Sequence, residues 1–255
     1  MTVLAVTGLK REAEIAGGFS KDRSGVVAVA GGGDAAGLVE KLDALHGDIA
    51  AVISIGLGGA LSPLLKVGDV VIGENVIEAS LPREAKLLAG EVVVAGSRAS
   101  EDRRGKTWHC DDQWRVRLAA RLPGAHQGPV IGSDTILATP AAKQHLFDTS
   151  GALAVDMESQ VAARFAAARG LPLAVLRVIS DDARHTLPPA ALVAMRPDGG
   201  VALGRVLWSV AKNPLQIPAL IRMGRGSGRA FKTLLRCRDL LGAGLAGVGP
   251  AGLDL

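Results

Sequence analysis

Short apolar runs rich in Val, Ile and Leu alternate with Ala-rich stretches along this chain. Residues 3–6, 26–30, 50–55, 69–72, 91–95, 129–131 and 173–179 read as strands. Between them, a helical stretch follows Gly31-Gly32-Gly33-Asp34 and runs to residue 45. A second covers 112–122 with Asp111 as its N-cap, and a third covers 159–169 and is stopped by Gly170. Nearly unbroken apolar strands separated by helices predict a sheet covered on both faces. The expected fold class is therefore α/β: a mixed, partly closed central sheet flanked by helices. The pattern changes after Val210. Lys212-Asn213-Pro214 breaks a helix, residues 222–229 mix Arg, Gly and Ser, and residues 241–255 are Gly-rich, as in a poorly ordered tail. The expected division is a catalytic domain over 1–212 and a basic, apolar C-terminal extension over 213–255.

At 255 residues and 48% hydrophobic content the chain can bury a sizeable core. With aromatics at 3%, no Tyr and 33 Gly, that core must be aliphatic and closely packed. Cys110 and Cys237 stand far apart, and the five His are scattered singly, so neither a disulfide framework nor a zinc-ligand spacing is present. The expected setting is a reducing cytoplasm, without a signal peptide or a membrane-spanning run. The net charge of +4 is unevenly placed. Residues 199–238 hold Arg205, Lys212, Arg222, Arg225, Arg229, Lys232, Arg236 and Arg238 and no acid, which leaves the rest of the chain net acidic. The region has no nucleic-acid-binding motif and few aromatics for base stacking, so nucleic acid is not an expected partner. Its interleaved apolar residues fit a peripheral membrane contact, or else an ordinary terminal helix with a solvated basic tail.

Two segments carry candidate chemistry. In Ala154-Val155-Asp156-Met157-Glu158-Ser159 a carboxylate leads into a helix, where it can accept hydrogen bonds from a sugar diol or simply suit the helix dipole. Met157 is soft enough to pack on a sugar face. In Arg177-Val178-Ile179-Ser180-Asp181-Asp182 an apolar strand carries an Arg within it and ends on Ser-Asp. Ligands of open α/β sheets sit at such carboxyl ends. An Arg inside the strand must pair or hold an anion. Asp181 is either a proton donor or a helix N-cap. Gly31-Gly32-Gly33 is either an anion-binding nest or a tight turn. Trp108, His109 and Trp114 fit packing and capping better than catalysis.

Val-Asp-Met-Glu-Ser followed by Arg-x-Ile-Ser-Asp resembles the superfamily of purine nucleoside phosphorylases, uridine phosphorylase and methylthioadenosine/S-adenosylhomocysteine nucleosidase. Ile55-Gly56-Leu57-Gly58-Gly59 with the strand after it, Thr7-Gly8-Leu9-Lys10-Arg11-Glu12-Ala13-Glu14, and Gly132-Ser133-Asp134-Thr135-Ile136-Leu137 resemble that superfamily's central loop, N-terminal glutamate segment and base pocket. The resemblance covers about residues 3–210. It implies N-glycosidic cleavage of a purine nucleoside, a homo-oligomer, and no cofactor beyond phosphate or water as co-substrate.

The same resemblance implies roles. Asp181 would protonate the departing purine, with Ser180 orienting it. Glu12, or Glu14 if the match is shifted, would activate water. Arg177 would position the nucleophile. Glu158 would hold the ribose diol, Met157 would pack on the ribose, and Gly58, Ile136 and Leu137 would line the substrate pocket. Leu57 replaces the usual Ser or Thr, which removes one donor to the nucleophile, and Ile136 replaces an aromatic that stacks on the base. Arg184-His185-Thr186-Leu187-Pro188-Pro189, Gly204-Arg205-Val206-Leu207-Trp208 and Asn213-Pro214 resemble the hopanoid-associated phosphorylases. That family implies adenosylhopane as substrate and ribosylhopane or its phosphate as product. The competing expectations are a soluble methylthioadenosine-type nucleosidase and an inactive nucleoside- or membrane-binding module.

Overall fold

A computed structural model of the chain describes residues 2–17, 25–79, 105–194, 196, 198–242 and 244–246. The strand expected at 91–95 lies outside the described residues. In chain order the elements are β1 (Thr2–Thr7), α1 (Lys10–Gly17), β2 (Val26–Ala30), α2 (Ala35–Asp43), β3 (Ile49–Ala60), β4 (Val70–Glu78), β5 (Thr107–His109) and α3 (Asp112–Arg121). Then come β6 (His126–Gly132), α4 (Pro140–Ser150), β7 (Ala154–Asp156), α5 (Ser159–Ala168), β8 (Leu173–Asp181), α6 (Pro189–Leu192), α7 (Leu203–Lys212), a 3₁₀ turn (Pro214–Gln216) and α8 (Ile217–Leu241).

The described strands form one mixed sheet in the order β2-β1-β3-β7-β6-β4-β5, with β8 paired to both β3 and β4. Because β8 bridges those two, strands β3, β7, β6, β4 and β8 close on themselves, and β1 and β2 extend the sheet from one side of the ring. The expected α/β class with a partly closed mixed sheet is what the chain adopts. Val52, Ile53 and Ile55 of β3 and Leu176, Val178 and Ile179 of β8 are fully buried, in keeping with central strands that have helices on both faces.

Two elements depart from the sequence reading. Strand β3 does not stop at Ile55 but continues through Gly56-Leu57-Gly58-Gly59, because β8 runs parallel to it from Val52 to Gly59 and supplies the ladder. The stretch 222–229, which mixes Arg, Gly and Ser, lies inside one 25-residue helix, Ile217–Leu241. Pro218 sits in its first turn, where no intrahelical donor is needed. Ala230, Phe231, Leu234, Cys237 and Leu241 are buried in the same cluster as Ile53, Ile55 and Leu176. Gly226 lets this helix lie against the end of β8: a Cβ there would stand 2.8 Å from the Ser180 carbonyl oxygen. Only the beginning of the Gly-rich tail is described, and Leu245 is buried there, its carbonyl accepting from Trp114 Nε1 at 3.1 Å.

The remaining local readings have simple physical causes. Asp111 Oδ1 accepts from Trp114 N at 2.7 Å and caps α3. In the Gly31-Gly32-Gly33 turn, Gly31 N donates to the Thr7 carbonyl and Gly32 N to the Gly8 carbonyl. Two of the three donors an anion nest would need are therefore taken. Among the described residues no helix is long and apolar enough to cross a membrane.

Candidate active site

The carboxyl ends of β1, β7 and β8 surround a cavity of about 370 Å³, as expected for ligands of such sheets. Eight of the nine anticipated site residues line it: Glu12, Gly58, Ile136, Leu137, Met157, Glu158, Ser180 and Asp181. Of the two candidate acids on α1, Glu12 is buried and lines the cavity, while Glu14 is exposed. Gly8 N and Leu9 N donate to Glu12 Oε2 at 2.8 and 2.9 Å, and Leu57 N donates to Oε1 at 3.0 Å. Leu57 thus contributes a backbone donor to the acid where its side chain offers none. Gly56 makes room for that carboxylate, since a Cβ there would lie 2.7 Å from Oε2.

Arg177 is the exception. It is buried and not among the lining residues, with Nε 2.8 Å from Asp156 Oδ2. Its Nη2 donates to Ser54 Oγ, and also to Ser159 Oγ at 3.0 Å. A guanidinium this deeply buried requires a fixed counter-charge. Asp156 supplies it, and it also accepts from the backbone N–H groups of Glu158 and Ser159 at the start of α5.

One cation therefore stands among three buried acids. Burial alone would raise the Asp156 carboxyl, but the Arg177 charge and the hydrogen bonds from Arg177 and Ser159 hold it below the usual carboxylate range. Glu158 is left in excess: burial first, and then the Asp156 charge, push it up to about 8 against the pull of Arg177. Glu12 is also raised, by burial, although three backbone donors and Arg177 oppose the rise.

At the far wall Ser180 Oγ donates to Asp181 Oδ1 at 2.9 Å. The sequence reading did not include Lys143, on α4, whose Nζ lies 2.5 Å from Asp181 Oδ2 and donates to the Asp182 carbonyl at 2.8 Å. Met223, Ser227 and Phe231 of α8 complete an apolar side of the cavity together with Leu187, Ala191, Ala194 and Val201. Among the described residues no group of three or more His, Cys, Asp or Glu could hold a metal ion. The arrangement places acids where they can hold a sugar and move protons.

A family profile described as the phosphorylase superfamily matches residues 17–212. The chain belongs to the phosphorylase superfamily. A relative, the futalosine hydrolase of Streptomyces coelicolor, is 33% identical over 131 residues, which are 51% of this chain and 53% of that protein. The chain thus matches about half the length of that relative. Among solved structures, a 5′-methylthioadenosine/S-adenosylhomocysteine nucleosidase from S. pneumoniae with a transition-state inhibitor superposes with a TM-score of 0.56 at 18% identity, over 93% of this chain and 99% of that one. The futalosine hydrolase of Helicobacter pylori gives a TM-score of 0.55 at 13% identity, over 94% and 97%. At such identities the likeness is one of fold.

Two cavity-lining residues, Lys143 and Phe231, are not site candidates in the sequence because neither stands at a distinctive spacing to the others. For Lys143 the signal available was a lysine one turn past the Thr139-Pro140 helix start, and that pattern is common.

Proposed function

We propose that this protein hydrolyses the N-glycosidic bond of an adenine nucleoside bearing a bulky apolar 5′ substituent, with adenosylhopane as the natural substrate. The observation that carries the reading is the convergence of Glu12, Glu158 and Asp181 on one mainly apolar cavity. In this reading Glu158 accepts hydrogen bonds from the ribose diol while Met157 packs on the sugar. Gly58, Ile136 and Leu137 border the base. Asp181, oriented by Ser180, passes a proton to N7, so that the base leaves neutral as C1′ becomes oxocarbenium-like. Water adds to C1′ and gives its proton to Glu12, which lies 3.0 Å or less from three backbone donors and is therefore fixed in place.

Hydrolysis rather than phosphorolysis is supported by two features. Leu57 brings no hydroxyl to the nucleophile, and Arg177 is committed to Asp156, so neither side chain is available to bind phosphate. The relative with 33% identity is also called a hydrolase. The lipid substituent is supported by the apolar wall of α8 and by Val201, which leads into α7. That helix buries none of its residues, and Leu207 and Trp208 are 67% and 65% exposed. Arg205, Lys212, Arg222 and Arg225 are exposed in the same region, a combination that suits the anionic surface of a membrane. A methylthioadenosine-type nucleosidase is the second reading, favoured by the fold-level likeness to such enzymes.

The test is release of free adenine from adenosine, 5′-methylthioadenosine and a lipid-linked adenosine, each with and without phosphate. The expected result is adenine from the lipid-linked compound at the highest kcat/KM, independent of phosphate. Sugar-1-phosphate as the product would overturn hydrolysis. Preference for 5′-methylthioadenosine would favour the second reading, and no base from any nucleoside would leave a binding module.

A further inference from the structure

Asp181 is not alone at the point where the base is proposed to leave. Lys143 projects from the first turns of α4, a helix whose start is fixed by Thr139 Oγ1 accepting from Ala142 N at 3.2 Å. Its side chain is 1% exposed, yet Lys143 contributes to the cavity lining, and its Nζ contacts Asp181 Oδ2 at 2.5 Å. The Asp182 carbonyl holds the same Nζ at 2.8 Å, so the ammonium has little freedom to swing away. Burying an ammonium is unfavourable unless it is paired, and here the partner is the proposed acid itself.

A carboxylate paired this closely with an ammonium has no proton of its own to give. The nearest proton is on Lys143 Nζ, and the 2.5 Å contact is a direct path from it to the Asp181 carboxylate.

We propose that Lys143 holds the proton that Asp181 delivers to the departing base. As the C1′–N9 bond breaks and its electron pair moves into the purine ring, the proton passes from Nζ to the Asp181 carboxyl group and on to N7. Adenine leaves neutral, and Lys143 is left as an amine. The water that adds to C1′ gives its own proton to Glu12. Solvent takes that proton and restores the ammonium after product release, so atoms and charge balance over one turnover. Lys143 acts through Asp181 and is thus a positioning and proton-holding residue rather than a group that touches substrate. This inference rests on the nucleosidase reading above.

The test compares two leaving groups in wild type, Lys143→Met and Lys143→Arg. The first substrate is adenosine or 5′-methylthioadenosine, whichever the wild type cleaves. The second is 4-nitrophenyl riboside, whose nitrophenolate departs without a proton. Lys143→Met is expected to lose roughly 10²–10⁴-fold in kcat on the nucleoside, the usual contribution of general acid catalysis, with KM little changed and turnover of the nitrophenyl riboside near wild type. Lys143→Arg is expected to show the same split, because a guanidinium keeps the positive charge but does not surrender its proton. Nucleoside turnover restored by Arg would reduce Lys143 to a charge that orients Asp181 and overturn the inference. So would equal losses on both substrates in Lys143→Arg, which would mark a purely structural role. A wild type that releases no base from any nucleoside would overturn the functional reading itself; an active wild type matched by active variants would overturn only the role of Lys143.

Discussion

Arg177 Nε stands 2.8 Å from Asp156 Oδ2, and both side chains are 1% exposed. This pair fixes the electrostatics of the cavity floor. Asp156 claims the guanidinium, Glu12 and Glu158 share what remains of its field, and helix α5 begins on the same carboxylate. Removing one partner would leave the other charged and buried. Asp156→Asn is expected to lower unfolding free energy by about 3–5 kcal/mol, read as an earlier urea midpoint. A change near zero would mean that water reaches the guanidinium.

Glu158 gives a pH signature. Its carboxyl is raised from 4.5 to about 8 in the folded protein, so between those values the native state holds a proton that the unfolded chain has released. Stability from this group is fully present below pH 4.5 and is lost as pH rises through about 8. The melting temperature of the wild type is therefore expected to fall over this window more steeply than that of Glu158→Gln. Parallel curves would show that Glu158 is ionised throughout.

Asp181→Asn is expected to fold with a lowered melting temperature, since it takes the counter-charge from the buried Lys143, and to lose roughly 10²–10⁴-fold in kcat for base release. The amide cannot hand a proton to N7. Near-normal turnover would assign the acid elsewhere, and an unchanged melting temperature would mean that Lys143 does not depend on Asp181 for its pairing.

Membrane contact is tested without truncation, because a chain ending before α8 would lose the core residues Phe231, Leu234 and Leu241. The double variant Leu207→Ser with Trp208→Ser alters only exposed positions. The full-length wild type is expected to float with anionic vesicles at low salt and less so at high salt, and the variant is expected to remain with the soluble fraction. Equal flotation of the two would remove α7 from the contact.

The alternation of apolar runs and Ala-rich stretches was enough to reveal an α/β protein, because strand and helix periods follow from local backbone geometry. The site motifs were legible for a related reason. Met157 and Glu158 follow β7 directly, and Ser180 and Asp181 end β8, so short sequence segments already imply where those side chains emerge.

The C-terminal region shows the limit. Its Arg, Gly and Ser content locally resembles a flexible tail, yet Ala230, Phe231, Leu234, Cys237 and Leu241 recur at helical spacing and find an apolar sheet to cover. The sequence by itself thus determined the fold class, the acids on the strand ends and the basic character of the last helices, all of which depend on local periodicity and composition. Only the tertiary structure decided that Arg177 pairs with Asp156, 21 positions away, that Lys143 meets Asp181, and that α8 belongs to the cavity wall. Those pairings depend on which buried charge lies nearest which counter-charge once the sheet has closed, and distance along the chain carries no information about that.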